Sequence, residues 1–458
     1  MDANSPQLEK PPREIMRSIV DLCADCDTCR PLMDEACLFF PELYRLWDQE
    51  KETGRTISDD ELRSLTDLCT YCGVCPCPRI PADVMVAKGC YIDKERLPLH
   101  VKILTDVPRL AQICGLFPRL TNAFQSKAFF RFLTYKVAHI HTSRSLPSFP
   151  EENFFDWAKK KDLTTNRAGE RKVSYFLGCS AGYLFPEVGK ATVQVLKHNN
   201  ITVYVPTQDC CGFPHLVDGA REDVFGKLQT NMENIKQELR SEETLICTCP
   251  TCGYFMKTLL KDRAYYSSAY QTSVNAGPDE LKLPEIDPKT GKHKILKKSI
   301  YKNILKDDGY FSSLDPLARI QLSDKISDAG QYLHSLFLEG QFNTKLRATS
   351  ERMVYFAPCH QRQQKIESPY FELLSLIPGL KLDCLEGMYC CGMGGNFGFK
   401  SNFHEKSLLI GEPLFKKIRE KSPQAIITDC MSCKLQFVHV LPYPVYHPME
   451  ILAKAYQD

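Results

Sequence analysis

The chain has 458 residues, 43% of them hydrophobic and 25% charged, which suits two or three packed domains and excludes wholesale disorder, collagen and coiled-coil fibres. Its 58 basic and 56 acidic side chains leave a net charge of +2, giving no global reason to expect nucleic acid as a partner. Twenty-two cysteines, in a chain with no apolar run of roughly 18 residues and no signal-peptide pattern between Met1 and Pro12, predict metal ligation in the cytoplasm rather than a disulfide framework.

Pro12 opens a predicted helix whose apolar positions Ile15, Ile19 and Leu22 lead into the first cysteine run, Cys23, Cys26, Cys29 and Cys37, spaced C-x2-C-x2-C-x7-C. Ser58 and Glu61 form a capping box with Ile57 and Leu62 as its staple, so a second helix should carry the chain into Cys69, Cys72, Cys75 and Cys77, spaced C-x2-C-x2-C-x1-C-P. Pro81 then opens a third, through Met85 and Lys88. Three thiolates at two-residue intervals, with a fourth from elsewhere, suit one cubic iron-sulfur cluster, and in two-cluster ferredoxins the fourth cysteine of each run serves the other cluster. The two runs therefore predict two cubane 4Fe-4S clusters in a helical domain over residues 1–100. Zinc is the competing occupant, but cysteines at successive two-residue spacings crowd a single tetrahedral ion. Arg30 and Arg79, beside these cysteines, either offset cluster charge or lie solvated at the surface.

Residues 101–172 are expected to be a connector and linker. Within 101–145, Lys102, Arg109, Arg119, Lys127, Arg131, Lys136 and Arg144 oppose a single acid, Asp106, while Phe117, Phe124, Phe129, Phe130, Phe132 and Tyr135 supply apolar surface. Such a stretch can contact a membrane surface or a membrane subunit, and an ordinary helical connector with a solvated face shows the same pattern. Pro147, Pro150 and the run Lys159-Lys160-Lys161 mark linker.

The remainder repeats itself. Cys179 is followed by Cys210-Cys211, Cys249 and Cys252, and Cys359 by Cys390-Cys391, Cys430 and Cys433, at an offset of 180 residues for the first three positions and 181 for the last two. Tyr175-Phe176 before the first set matches Tyr355-Phe356 before the second. Short β-branched or aromatic runs at 173–177, 201–205, 245–246, 353–356 and 425–427 precede these cysteines and alternate with helical stretches such as 187–197. Each repeat thus reads as α/β with parallel strands and its cysteines at the C-terminal sheet edge, over 173–260 and 351–458, with a Lys- and Tyr-rich insertion at 261–350 between them. The glycine-rich run Gly392 to Gly398 follows a cysteine pair rather than a strand, and reads as backbone held against a cluster, not as a nucleotide loop. Cys90 and Cys114 read as small buried hydrophobes, while Cys247 and Cys384 lie close to ligand positions. His360 and His215, also near ligands, suit either proton donation to a leaving thiolate or hydrogen-bonding support.

The pattern C-x30-CC-x37/38-C-x2-C, with Gly after the pair, resembles the cysteine-rich CCG domain of heterodisulfide reductase catalytic subunits. The order of parts resembles the form that fuses a two-cluster helical ferredoxin domain to two such domains, and is similar to the iron-sulfur subunits of anaerobic glycerol-3-phosphate, glycolate and lactate dehydrogenases. The resemblance implies an α+β multidomain protein, an N-terminal α-helical ferredoxin-like domain followed by two repeated α/β CCG domains. It also implies two noncubane 4Fe-4S clusters, one on Cys179, Cys210, Cys211, Cys249 and Cys252 and one on Cys359, Cys390, Cys391, Cys430 and Cys433. Electrons relayed by the cubane pair would then reduce a disulfide or analogous acceptor at the noncubane pair. Two other readings compete: a conduit linking a flavin dehydrogenase to quinone or a low-potential reductase, and a zinc-bound scaffold without redox function. With no hydride-binding nucleotide motif in the chain, the implied partner is a flavoprotein or another iron-sulfur subunit, in an anaerobe's cytoplasm or peripherally at its inner membrane face. One departure stands out: the family's runs read C-x2-C-x2-C-x3-C-P, whereas here the fourth cysteine follows after seven residues or after one, which leaves Cys90 as a substitute for Cys37 or Cys77.

Overall fold

The computed structural model describes residues 10–166, 171–240, 243–286, 291–301, 309–366 and 368–456. In the first helix, Pro12–Cys26, Ile15, Met16, Ile19, Val20 and Cys23 share a buried face, while Leu22 is exposed. Asp27 ends that helix in left-handed backbone. Helices Phe39–Thr53, Asp59–Thr66 and Arg79–Glu95 pack around it. The capping box forms as expected, with Ser58 Oγ accepting from the Glu61 amide at 3.3 Å and Glu61 Oε2 accepting from the Ser58 amide at 2.9 Å. The third helix starts at Arg79, before Pro81, because a first-turn N–H has no intrahelical partner to lose.

The connector is four short helices, Leu99–Thr105, Val107–Cys114, Pro118–Gln125 and Ala128–Ala138, and the third of them buries none of its residues. Arg144, expected with the exposed basic set, is instead buried. A further helix, Phe154–Lys160, forms where a linker is expected. Its reason is Phe154, fully buried against Tyr175 and Trp157, with the Asn153 side chain capping the Asp156 amide at 3.0 Å.

Ten strands follow. In the first repeat they are β1 (Lys172–Phe176), β2 (Thr202–Tyr204) and β3 (Leu245–Cys247). An antiparallel hairpin, β4 (Glu280–Ile286) and β5 (His293–Lys297), comes next, and then β6 (Ile326–Asp328). The second repeat supplies β7 (Arg352–Tyr355), β8 (Lys381–Cys384), β9 (Ala425–Ile427) and β10 (Val445–Tyr446). The two large sheets have orders β2-β1-β3-β6 and β8-β7-β9-β10, and all their pairings are parallel. They are one topology used twice, and the molecule is an α+β multidomain protein as expected. Strand β6 lies in the stretch expected to be insertion, so the intervening residues enter between the third and fourth strands of the first sheet. Three residues with a polar Ser327 at the centre leave too short an apolar signal to read.

Each repeat lends its last helix to the other. Pro448–Tyr456, after β10, packs on Pro186–His198 of the first repeat, where the Tyr456 ring stacks on His198 at 4.8 Å and Asn199 Nδ2 donates to Tyr456 Oη at 3.4 Å. Ala329–Leu338, after β6, packs on Pro369–Ser375 of the second repeat. There a Cβ on Gly330 would come within 2.8 Å of the Tyr370 ring, so glycine allows the close approach. A single apolar core joins the N-terminal helices, through Phe39 and Leu43, to Phe176, Phe213 and Phe255 of the first repeat.

Candidate metal centres

The ferredoxin cysteines gather in two sets, and the fourth members cross over. Cys23 is pushed up to about 12 by burial and then by the charges of Cys29, Cys77 and Cys26. Burial, Cys26 and Cys77 likewise raise Cys29. Cys37 is pushed up to about 12 by burial and next by Cys72, and Cys69 to about 12 by burial, with Cys72 and Cys37 adding to it. Cys75 is raised by burial, then by Cys72, Cys69 and Cys37 and, more weakly, by Cys29 of the first set, which also adds to Cys37. Cys77 therefore stands with Cys23, Cys26 and Cys29, and Cys37 with Cys69, Cys72 and Cys75. The latter four line a small cavity of about 40 Å³ together with Cys390, Gly392 and Gly394. Cys90 has Arg221, Asp93 and Lys94 as its charged neighbours, and stands with neither set.

In the first repeat, β1 delivers the chain through Gly178 to Cys179 at the start of Cys179–Tyr183. Gly178 has φ +76°, and a Cβ there would meet Cys252 Sγ at 2.8 Å, so glycine is required beneath that sulfur. Cys179 Sγ and Cys210 Sγ are 3.3 Å apart. Cys210 is held well below the ordinary thiol range by hydrogen bonds from Cys179 and Cys211, both of which are pushed up in turn. Cys249 pairs with Cys252 in the same set. Cys247 is buried at the end of β3, and its thiol donates to the Cys249 carbonyl at 3.4 Å.

In the second repeat, Cys391 and Cys433 have sulfurs 3.0 Å apart, and Cys391 is held well below the thiol range by Cys390 and Cys433. Cys359 is raised by burial and then by Cys72, Cys391 and Cys430. Gly392 has φ +79°, and its missing Cβ would lie 2.0 Å from the Ser407 carbonyl, so the run after the cysteine pair is pressed against helix His404–Lys421. Among the described residues no three His, Cys, Asp or Glu side chains converge where a single ion could sit. The donors are sets of soft sulfur ligands, most of them at least partly buried, which is the ligand chemistry of iron-sulfur clusters.

These sites adjoin one another. Cys72 contributes to the surroundings of both Cys359 and Cys390, so the second ferredoxin set abuts the second repeat. His360 ties the three parts together. Its Nε2 lies 3.1 Å from the Tyr71 carbonyl and its Nδ1 2.9 Å from Thr251 Oγ1, between Cys249 and Cys252. Burial lowers His360 to about 4, so the ring is neutral, donates from Nε2 and accepts the threonine hydroxyl at Nδ1. Stacked on Tyr254 at 4.8 Å, it acts as a strut, which favours support over proton donation. His215 is buried beside Cys210. Arg30 is spent on Asp27 and Asp48, and Arg79 on Asp83 at 2.9 Å, so both are paired elsewhere. Sequence reasoning singled out Cys247 as close to ligand positions but missed the roles of Gly178 and Arg144; of these, only Gly178, directly before a ligand, carried a signal.

Residues 173–257 and 353–438 match the model of the CCG cysteine-rich domain. Both repeats therefore match the CCG cysteine-rich domain, and the chain as a whole is similar to subunits of anaerobic dehydrogenases and reductases. Among its relatives, a subunit of the anaerobic glycerol-3-phosphate dehydrogenase of Escherichia coli K12 is 26% identical over 384 residues, 82% of this chain and 83% of that protein. A subunit of the fumarate reductase (CoM/CoB) of Methanothermobacter marburgensis is 26% identical over 296 residues, 63% of this chain and 47% of that protein. An uncharacterised iron-sulfur protein of Methanocaldococcus jannaschii is 24% identical over 265 residues, 57% of this chain and 40% of that protein.

Proposed function

We propose that this chain is an iron-sulfur electron-transfer subunit of a dehydrogenase or reductase complex. The first cubane 4Fe-4S cluster belongs to Cys23, Cys26, Cys29 and Cys77, and the second to Cys69, Cys72, Cys75 and Cys37. The two CCG quintets, Cys179, Cys210, Cys211, Cys249 and Cys252 and Cys359, Cys390, Cys391, Cys430 and Cys433, hold the noncubane 4Fe-4S pair. When bound, these groups supply one-electron carriers and, at the CCG pair, reduction of a disulfide or analogous acceptor. The observation that carries this reading is the position of Cys72, shared between the second ferredoxin set and Cys359 and Cys390. Around the CCG pair the chain's own task is to exclude water and fix the sulfurs, as Gly178, Gly392 and His360 do.

A second reading, conduction between a flavin dehydrogenase and quinone or a low-potential reductase, draws support from the connector. Ile113, Leu116, Phe117, Phe129 and Val137 are all more than half exposed beside basic side chains, a face suited to a membrane surface or a membrane subunit. No helix among the described residues is long and apolar enough to cross a membrane.

Metal analysis and EPR of the anaerobically purified chain test the proposal. Iron with redox-active signals from four clusters is expected; zinc without iron overturns it. A disulfide that perturbs the CCG signals supports catalysis in this chain, whereas indifference to disulfides with oxidation by quinone favours conduction.

A further inference from the structure

The two CCG domains are copies of one topology, but one side chain from outside both breaks their equivalence. Arg144, at the end of the connector, reaches into the second domain and is 2% exposed. Its Nη1 donates to Gln436 Oε1, and its Nη2 donates to the Leu435 carbonyl at 3.4 Å and to Met393 Sδ at 3.0 Å. The guanidinium carbon lies 5.0 Å from the Phe399 ring centroid. All of these partners are uncharged, and Nε is without a hydrogen bond. A cation desolvated away from any carboxylate is costly unless an anion repays it. The anion whose charge reaches it is Cys391, two residues from Met393. Burial pushes Arg144 down to about 10, so it remains charged at neutral pH.

A second guanidinium lies near the same cysteine set. Arg362 donates to the Gly387 and Tyr389 carbonyls, again uncharged groups, and its field favours the ionised forms of Cys359 and Cys72. The first domain is furnished differently: Lys227, which senses Cys210, is already paired with Asp209 at 3.1 Å.

We propose that Arg144 makes the second CCG site the easier of the two to reduce, so that an electron arriving past Cys72 rests there first. The inference rests on the proposed function, because it presupposes an iron-sulfur group on Cys359, Cys390, Cys391, Cys430 and Cys433. Reduction adds negative charge to such a group, and a fixed cation in a low-dielectric interior stabilises the reduced state. Arg144 adds its charge from the connector, on top of what the domain's own Arg362 supplies.

An anaerobic redox titration of the full chain followed by EPR, with iron content measured alongside, tests this. Signals are assigned to each site beforehand with Cys391→Ser and Cys210→Ser. Arg144→Gln removes the charge, while Gln436→Glu leaves the arginine in place and sets a carboxylate against it. Both are expected to lower the midpoint of the second site by at least tenfold in the reduction equilibrium, ~59 mV for one electron, and to leave the first site unmoved. Arg144→Lys retains most of the original midpoint. If Arg144→Gln does not fold, Gln436→Glu decides the matter. An unmoved midpoint in Gln436→Glu at full iron content overturns the inference while leaving the functional reading intact. A wild-type chain with no iron at the second site overturns both.

Discussion

Cys77 follows Cys75 by two positions in the chain, yet its charge is felt by Cys23 and Cys29. The crossed arrangement makes a prediction that an uncrossed one does not. Cys77→Ser should disturb the EPR signal of the cluster on Cys23, Cys26 and Cys29 and spare the other, and Cys37→Ser should do the reverse. Iron analysis of each variant, with loss of about one cluster's iron, checks the assignment. His447 allows a pH prediction at the same scale. It is fully buried, donates from Nε2 to the Thr248 carbonyl at 3.2 Å and accepts the Met449 amide at Nδ1. Burial lowers it to about 3, with nearby Lys434 acting in the same direction. Its neutral form folds and its protonated form resists burial, so its contribution is complete above the unfolded value near about 6.5 and is lost as pH falls towards 3. The expected loss is ~1.4 kcal/mol per pH unit below that point. Urea unfolding at pH 7 and pH 5 measures it, and His447→Gln should remove that share of the slope.

Among the elements, Phe154–Lys160 shows where reading the chain succeeds and where it does not. Prolines and three lysines around it signal linker, but the fully buried Phe154 ring, with Phe155 beside it, pins it to the first CCG domain. A Cβ on Gly189 would lie 2.4 Å from that ring, so the facing helix is cut to fit. Phe154→Ala should destabilise the protein by ~3–5 kcal/mol, read from urea unfolding. The cysteine groups, the capping box and the parallel α/β repeats were legible because spacing and periodicity carry them directly. Arg144 was not, since one arginine in a basic amphipathic stretch has the same pattern whether it faces water or a neighbouring domain. Strand β6 escaped because a polar residue occupies the middle of its three positions. Periodicity also marks which face of a helix is apolar, not which partner covers it, so the exchanged helices could not be foreseen.

At the scale of the molecule, those exchanged helices bind the CCG domains into one unit. Removing 448–456 strips cover from Pro186–His198, in the first repeat, although the cut lies at the end of the second. Limited proteolysis of the truncated chain should therefore open the first repeat around 186–204 as readily as the second. Protection of that stretch would argue against the exchange.

The same exchange sets a timetable for biosynthesis. A ribosome releases the apolar side of Pro186–His198 long before it makes the segment that shields it, and at ~5–20 residues per second that interval lasts many seconds. During that interval the nascent chain needs a chaperone or a slow-forming alternative contact.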